Sequence, residues 1–522
     1  MATSALGRVS ACERYKKLAE KREPYLRRAR DASKYSLPRL YPQEGTTEAT
    51  TLYKPWQSFV AQGVSGFASK LTLSLLPPNR RPFRMEPKPK VARQLEAVGS
   101  QTGIDAAGET LQALSNIESV IHRQIESLGH RRALNSILQH LQVSGNAAID
   151  LGAPFPRVYS LNQFVCVRDR EGNLVELILK ESVARSALTE EVIQAIDRRN
   201  QTVPEKKTLE EYDIYTWIKL DKNWWRIHQE VEDVQIPGSV GRYPKDTPRF
   251  LALRWGRVDG EHYARSLCED NIGDITAVEA LQRSLTAYSL AVSRLLYLVN
   301  PGGVTDIADV ENAESGAFRV GRAEDVTVPQ INKQLDIQAT QDTLNSLLQR
   351  LSAVFLMTVN LRRDAERVTA EEIRLIANEA DSTNAGIYST LSAEYQLPLV
   401  RWIKYRMEKA DELPALPDAT VDITIIGGID ALGRTADLQS IEEFLRGTIE
   451  FMGPAGIQTL KLNNVQRRRA AALGLDAKDL VKSEEELAQE QAQAQQAALM
   501  ERAAPNVVNA VAGAAQAQQG TQ

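Results

Sequence analysis

Two heptad-patterned stretches, separated by a Gly/Pro-rich insertion, constrain this chain more than anything else in it. In the first, Val278, Leu281, Leu285, Tyr288, Val292, Leu295 and Val299 alternate at steps of three and four. That spacing lays one apolar stripe along a helix. A helix over residues 271–299 would be roughly 43 Å long at about 1.5 Å per residue. The second stretch repeats the pattern with Leu344, Leu348, Leu351, Phe355 and Thr358. Between them stand Pro301, Gly302, Gly303, Gly316, Gly321 and Pro329, residues that stop helices and favour turns. Phe318-Arg319-Val320 and Val326-Thr327-Val328 are short β-prone runs within that insertion. The layout reads as a helical hairpin carrying a small strand-containing lobe at its tip. An ordinary α+β domain with two core helices gives the same pattern, because any amphipathic helix approximates a heptad.

The turn after the second stretch favours the hairpin. Leu361-Arg362-Arg363-Asp364-Ala365-Glu366-Arg367-Val368 holds neither Gly nor Pro. A new helix nonetheless starts just after it. Thr369-Ala370-Glu371-Glu372 is a capping box, in which the threonine hydroxyl accepts the N3 amide and Glu372 reaches back to the cap. Ile373, Ile376, Ala380, Ile387 and Leu391 form the apolar face of that helix. A short arginine-bearing loop is thereby held between two helices. Such a loop is usually a solvated turn.

At 522 residues the chain is too long for one core and long enough for several sub-domains. No run of about 18 apolar residues exists, so no transmembrane helix is expected. Residues 1–10 lack the charged and apolar regions of a signal peptide. Cys12, Cys166 and Cys268 are widely spaced and form no CxxC pair, which argues against a disulfide framework and against zinc. Each reads as a free thiol in a reducing cytoplasm. The net charge of −4 is far from the basic balance of a tight DNA binder.

Along the chain, residues 14–39 form a basic helix with Arg27, Arg28 and Arg30 clustered, ending near Pro38 and Pro42. Its cations are either a solvated face or a contact for DNA or an acidic neighbour. Residues 56–76 have apolar positions at helical spacing before Pro77-Pro78. Residues 105–150 read as two further helices, with Gly145-Asn146-Ala147 closing or kinking the second. Hairpins are expected around Glu171-Gly172-Asn173 and Asp221-Lys222-Asn223. Trp217, Trp224 and Trp225 read as core or cross-strand packing, or as a stacking surface for bases. A β-prone run spans residues 421–426 after Pro398, Pro414 and Pro417. Helices resume around 437–451 and 458–473, the second ending at Arg467-Arg468-Arg469, where positive charge suits the helix dipole. Residues 503–522 are low-complexity and expected to be disordered.

Recognisable catalytic chemistry is missing from the pattern. GxxxxGK[ST] is absent, and so is HExxH or paired Cys/His spacing, so neither ATP binding nor a catalytic metal is expected. His122, His130, His140, His228 and His262 sit in no triad context, and Gly63-Val64-Ser65-Gly66 has the wrong spacing for a nucleophile elbow. No cofactor is implied.

In one collinear set, the residues resemble the portal, or head-to-tail connector, proteins of short-tailed phages related to T7. The set comprises Pro55-Trp56-Gln57, Ala68-Ser69-Lys70-Leu71, Tyr243-Pro244-Lys245, Arg257-Val258-Asp259-Gly260-Glu261, and Val299-Asn300-Pro301-Gly302-Gly303-Val304-Thr305. Gly321-Arg322-Ala323-Glu324-Asp325, Arg367-Val368-Thr369-Ala370-Glu371-Glu372-Ile373-Arg374 and Gln396-Leu397-Pro398-Leu399-Val400-Arg401 complete it. The matches keep their order from about residue 12 to about residue 485.

The resemblance implies an α+β ring subunit with a wing, a two-helix stem, a strand-containing clip and a C-terminal helical crown. On this chain the wing falls on 1–270, stem helix 1 on 271–299, the clip on 300–335 and stem helix 2 on 336–360. A tunnel loop falls on 361–368, a wing return of long helix and strand on 369–428, the crown on 429–500 and a disordered tail on 501–522. About twelve copies would form a channel for double-stranded DNA at one capsid vertex of the virion, assembled in the host cytoplasm. Each copy adds a charge of −4, so the ring would be acidic and would repel the duplex from its walls. The resemblance implies no enzymatic activity and no membrane insertion by this chain.

The same resemblance assigns roles to residues. Arg362, Arg363 and Arg367 would contact DNA phosphates from the tunnel loop, or form salt bridges with Asp364, Glu366 or a neighbouring subunit. Val278, Leu281, Leu285, Val292, Leu295, Leu344, Leu348, Leu351 and Phe355 would pack the stem and the ring. Pro301, Gly302, Gly303, Gly321 and Arg322 mark the clip. There a terminase would dock, followed by a tail-tube adaptor. Scaffolding protein, capsid protein and internal core proteins would meet the wing and crown. The competing classes are another phage head-tail adaptor and a subunit of a DNA-processing enzyme. An adaptor does not need so long a clip-bearing stem, and an enzyme would need motifs that are missing here.

Overall fold

The computed structural model describes residues 10–46, 49–78, 81–102, 106–152, 154–201, 210–293, 298–306, 308, 318, 320–322, 324–327, 334–357, 385–416, 420–425, 443–448, 450 and 465–466. The chain divides into two units, Met1–Gly427 and Gly428–Gln522.

In the first unit, helix α1 (Ala11–Tyr35) starts where Ser10 Oγ accepts the Glu13 amide at 3.2 Å. Tyr15 and Leu18 pack on Val165, Ile178 and Tyr215 of the large sheet. Four arginines of α1 are engaged by its own chain, while Lys16, Lys17, Lys21 and Arg27 form the solvated face. Arg14 pairs with Glu176 at 2.6 Å. Arg22 is buried and donates to the carbonyls of Asn162 and Phe164. Arg28 lies 3.2 Å from Glu269, above the Tyr25 ring. Arg30 meets Glu23 and Glu44. The helix is therefore fastened to its own chain by charge as well as by its apolar side, while Arg27 stays exposed.

Helix α2 (Phe59–Leu75) buries Val60, Val64, Phe67, Leu71 and Leu75, a helical period, and ends just before Pro77-Pro78. Strand β1 (Phe83–Pro87) and helices α3 (Pro89–Thr102), α4 (Ala106–Ser127) and α5 (His130–Ser144) follow. Gly145 closes α5 at φ +75°, its amide bonding the Leu141 carbonyl at 2.9 Å. A Cβ there would come within 2.6 Å of backbone atoms of Ala264 and Arg265, so glycine is required by conformation and by space.

Two antiparallel sheets continue the unit. Strand β2 (Asn146–Asp150) lies between β3 (Arg157–Tyr159) and β10 (Phe250–Arg254), and β2 and β10 are buried along their whole length. The larger sheet runs β4 (Phe164–Arg168), β5 (Leu174–Ala184), β6 (Glu211–Asp221), β7 (Trp224–Val231) and β8 (Val234–Gln235), with β9 (Gly241–Pro244) also paired to β7. Both expected hairpins are present, at β4–β5 and β6–β7. Helix α6 (Glu190–Gln201) sits between β5 and β6. Trp225 is buried, and Trp217 is half-buried against the foot of α1. Trp224 is not core, being 42% exposed, and takes the cross-strand alternative beside Pro244 and Arg242. Late in the chain, β13 (Val421–Ile425) returns to pair with β1, Phe83 facing Ile425.

The hairpin region differs from the sequence reading at three points. Helix α8 (Ile272–Val292), which follows the short α7 (Leu267–Asp270), ends well before residue 299. Leu298–Val299 is instead strand β11, paired with β12 (Val326–Thr327), because the turn at Pro301-Gly302-Gly303 brings Val326 opposite Val299. Helix α9 (Gln334–Val354) also stops short of residue 360. There Leu356 adopts φ +49°, while the Met357 amide bonds Ser352 O at 2.8 Å and the Leu356 amide bonds Ala353 O at 3.2 Å. This is a Schellman closure with leucine where glycine is usual. Finally, Phe318 and Val320 form no strand and are almost fully exposed. Helix α10 (Ala385–Leu391) passes through a π turn over Ser392–Gln396 into α11 (Leu397–Lys409), with Pro398 tolerated in the first turn. The expected capping box at Thr369 and the loop 361–368 lie outside the described residues.

In the second unit, residues 443–448 form a short helical turn in which Thr448 Oγ1 donates to the Phe444 carbonyl at 2.7 Å. This falls within the helix expected over 437–451. The helix expected over 458–473 is described at residues 465–466 alone.

Candidate functional site

Helices α8 and α9 lie side by side. Arg350 on the last turns of α9 reaches Asp274 on the first turn of α8 at 3.1 Å, which makes the pair antiparallel. The apolar stripe is not uniform along it. At the base, Val278, Leu344, Leu351 and Phe355 are buried in the main core of the chain, and Leu281, Leu285 and Leu348 pack against that core. Leu347 is buried too, although the three-four spacing passed over it. Toward the lobe the stripe opens to solvent. Val292 is half exposed, and Leu290, on the opposite side of the helix, is 57% exposed. Leu295 lies outside the described residues, and Val299 belongs to the β11–β12 ladder.

A buried carboxylate fixes the base. Glu279 on α8 accepts from Tyr53 Oη at 2.8 Å, from the Trp56 amide at 2.9 Å and from the Gln57 amide at 3.4 Å. Gln57 in turn caps α2 by accepting the Val60 amide at 3.0 Å and donates to Tyr35 O at 2.7 Å. One side chain therefore ties α8 to the segment that leads into α2. The hydrogen bond to Glu279, with burial and the carboxylate charge, pushes the Tyr53 hydroxyl up to about 12. Sequence reading singled out Pro55-Trp56-Gln57 and missed Glu279. The available signal was an acidic residue directly beside the buried Val278.

The far end of α9 is seated just as firmly. The Phe355 ring lies so close to α2 that a Cβ at Gly63 would stand 2.8 Å from its Cγ. Lys70 Nζ donates to the Leu356 carbonyl. These contacts fix the C-terminal end of α9 on α2. Arg362, Arg363 and Arg367 themselves lie outside the described residues.

At the lobe a second carboxylate does the organising. Asp325 Oδ2 accepts from the Val304 amide at 2.9 Å, the Thr305 amide at 3.1 Å and Thr305 Oγ1 at 2.8 Å. The Asn300 amide bonds Asp325 O at 2.9 Å, and the Arg322 amide bonds Thr305 Oγ1 at 2.9 Å. Pro301-Gly302-Gly303 is thus laced to Gly321-Arg322. The glycines follow from the packing, since a Cβ at Gly303 would stand 2.6 Å from Asp325 Cγ and one at Gly321 would stand 2.8 Å from Thr305 Cγ2. Gly303→Ala is therefore expected to loosen the lobe by about 1–3 kcal/mol. Hydrogen exchange would report this at the Val304 and Thr305 amides, with the β2 amides unchanged as the internal reference.

Among the described residues no group of three His, Cys, Asp or Glu is placed to hold a metal ion, and no helix is long and apolar enough to cross a membrane. All three cysteines are free thiols.

The sequence matches the family described as bacteriophage head to tail connecting protein over residues 8–481. The chain belongs to that family. It is 34% identical to the portal protein of Enterobacteria phage T3 over 518 residues, covering 98% of this chain and 94% of that one. It is 33% identical to the portal protein of Escherichia phage T7 over 487 residues, covering 92% and 89%. The portal protein of Pseudomonas phage phiKMV is 30% identical over 505 residues, covering 93% and 96%. A solved chain described as the virion of a native gene transfer agent particle aligns at a TM-score of 0.36 and 12% identity, covering 80% of this chain and 90% of that one. As a family member the chain is a structural, non-enzymatic part of the virion, the portal that connects head to tail at a capsid vertex. Its working form is an oligomeric ring that meets capsid and tail.

Proposed function

We propose that about twelve copies close around a channel through which double-stranded DNA enters, is retained and leaves. The observation that supports this most is the changing burial of the helix pair. Its stripe is satisfied within the chain at the base, yet its member Val292 is half exposed toward the lobe, where Leu290 on the opposite side of α8 and Val304 are exposed as well. Exposed apolar side chains around the lobe end of α8, left uncovered among the described residues, fit a head-to-tail neighbour contact that closes on itself. In this reading α8 and α9 are the stem, the β11–β12 lobe is the clip and residues 361–368 are the tunnel loop. The sheets and helices of 1–270, with 369–428, form the wing. Residues 429–500 form the crown and 501–522 its tail. A terminase and then a tail-tube adaptor take the clip surface in turn. Scaffolding, capsid and internal core proteins meet the wing and crown.

Arg362, Arg363 and Arg367 are the residues of this reading that touch phosphate, since guanidinium donates several hydrogen bonds to phosphate oxygens. Arg367→Ala is expected to leave the ring mass unchanged. It is expected to lower the yield of DNA-filled particles at least about tenfold, because each of about twelve copies loses the same contact. Normal yields of full, infectious particles would remove Arg367 from this role.

A further inference from the structure

The outer face of the large sheet carries an arrangement that folding alone does not favour. Across β6, β7 and β9, Lys219 stands opposite Arg226, and Arg226 stands opposite Arg242. Three cations therefore lie side by side in one cross-strand row, and like charges directly opposite destabilise a sheet. Glu176, the next residue in the row on β5, is taken by Arg14 of α1. Lys219, Arg226 and Arg242 are exposed, and the Arg226 side chain is 72% exposed even with Asp221 at 2.6 Å.

The adjoining row places an aromatic beside them. Trp224 lies opposite Asp221 on one side and Pro244 on the other, with the Arg242 guanidinium 4.8 Å from its ring centre. Lys222 occupies the hairpin turn, and the Lys245 amide bonds Asn223 O, which adds two exposed cations at the tip. Asp221, bonded to Arg226, and Glu176, paired with Arg14, are the carboxylates in these rows. The inner face is fully used: Trp225 and Ile227 are buried in the main core. The foot of α1 packs on Ile178, Tyr215 and Trp217, leaving the tip end of the outer face uncovered among the described residues.

We propose that this uncovered face, centred on Lys219, Trp224, Arg226 and Arg242, docks an acidic segment of a partner protein. Carboxylates would neutralise the row, and arginine engages them through paired hydrogen bonds. The indole would supply the apolar centre around which Trp/Arg-rich contacts are built. Duplex DNA fits less well, because its bases stay stacked and offer no face to the indole. The surface belongs to a single chain and does not depend on ring closure.

Fluorescence anisotropy on the purified chain tests this, with a labelled peptide of alternating glutamate and leucine. The same peptide with glutamine for glutamate and a labelled random-sequence duplex serve as competitors. The glutamate peptide is expected to bind at least about tenfold more tightly than the glutamine peptide. Lys219→Gln with Arg242→Gln is expected to weaken it at least about tenfold while Tm stays equal or rises, since repulsion within the row is relieved. Trp224→Ala is expected to weaken it as well. The proposal is overturned if the wild-type chain does not bind the glutamate peptide, if the double variant binds as before, or if binding and Tm fall together. Preferential binding of the duplex would overturn it too. Native mass, read on the same samples, separates any of these results from a failure of ring formation.

Discussion

Replacing Glu394 by alanine is expected to destabilise the chain by about 3–5 kcal/mol, the cost of leaving a buried charge without its partner. The partner is Arg254 at the end of β10, whose side chain is 3% exposed. Arg254 Nη2 donates to Glu394 Oε1 at 2.6 Å and to Gly172 O at 3.2 Å, and its amide donates to Glu394 Oε2 at 3.3 Å. Nε and Nη1 are already buried without a hydrogen-bond partner among the described residues, so the guanidinium has little in reserve. Glu394 sits in the π turn between α10 and α11, a widened turn that aims the carboxylate at β10. Urea unfolding of three variants separates charge from packing. Glu394→Gln keeps an acceptor and should cost less than Glu394→Ala. Arg254→Met combined with Glu394→Leu should recover most of the loss, because removing both charges removes the unpaired one. A loss below about 1 kcal/mol for Glu394→Ala would show that water reaches Arg254 and that the pair is not structural.

The second large effect is expected at Phe355. Its ring is fully buried against α2, and truncation to alanine should cost about 3–5 kcal/mol through lost burial and the cavity left behind. Global stability is only half of the result. Phe355 stands at the Schellman closure of α9, where Leu356 is held in a left-handed conformation that leucine does not favour. Without the ring in its seat, that closure loses the contact that offsets its strain. Hydrogen exchange at the Leu356 and Met357 amides should accelerate well beyond the change in global stability. Phe355→Leu, which keeps much of the volume, should show a smaller version of both effects. Unchanged exchange at these two amides would mean that the closure is held by Lys70 and the local backbone alone.

How far the sequence was readable depends on where each residue's partners lie. The hairpins at Gly172 and Lys222 were legible because turn residues and alternating strands are neighbours in sequence. Gly145 was legible for the same reason. Strands β2 and β10 were not, since both are buried on every side and show no alternation. The β1–β13 pair joins distant parts of the chain, and only the late strand carried a visible β pattern. The heptads located the helix pair but not its ends. Val299 left the helix to pair with Val326, and Leu356 closed α9 without a glycine because Phe355 is seated on α2. Glu279 was missed, and Asp325, though within a quoted motif, was given no role, for one physical reason. Each satisfies backbone amides from another segment, and amides leave no trace in a sequence. Trp224 shows the converse: its residue type suggests core, and only the register shows that it stands on the outer face beside Arg242.

Native mass spectrometry of the purified chain, with electron microscopy of the same sample, tests the ring most directly. Twelve copies of the 57.9 kDa chain amount to about 695 kDa (12 × 57.9). A particle near that mass is expected, with round end views and a central hole. A stable monomer or dimer at every salt concentration would contradict it.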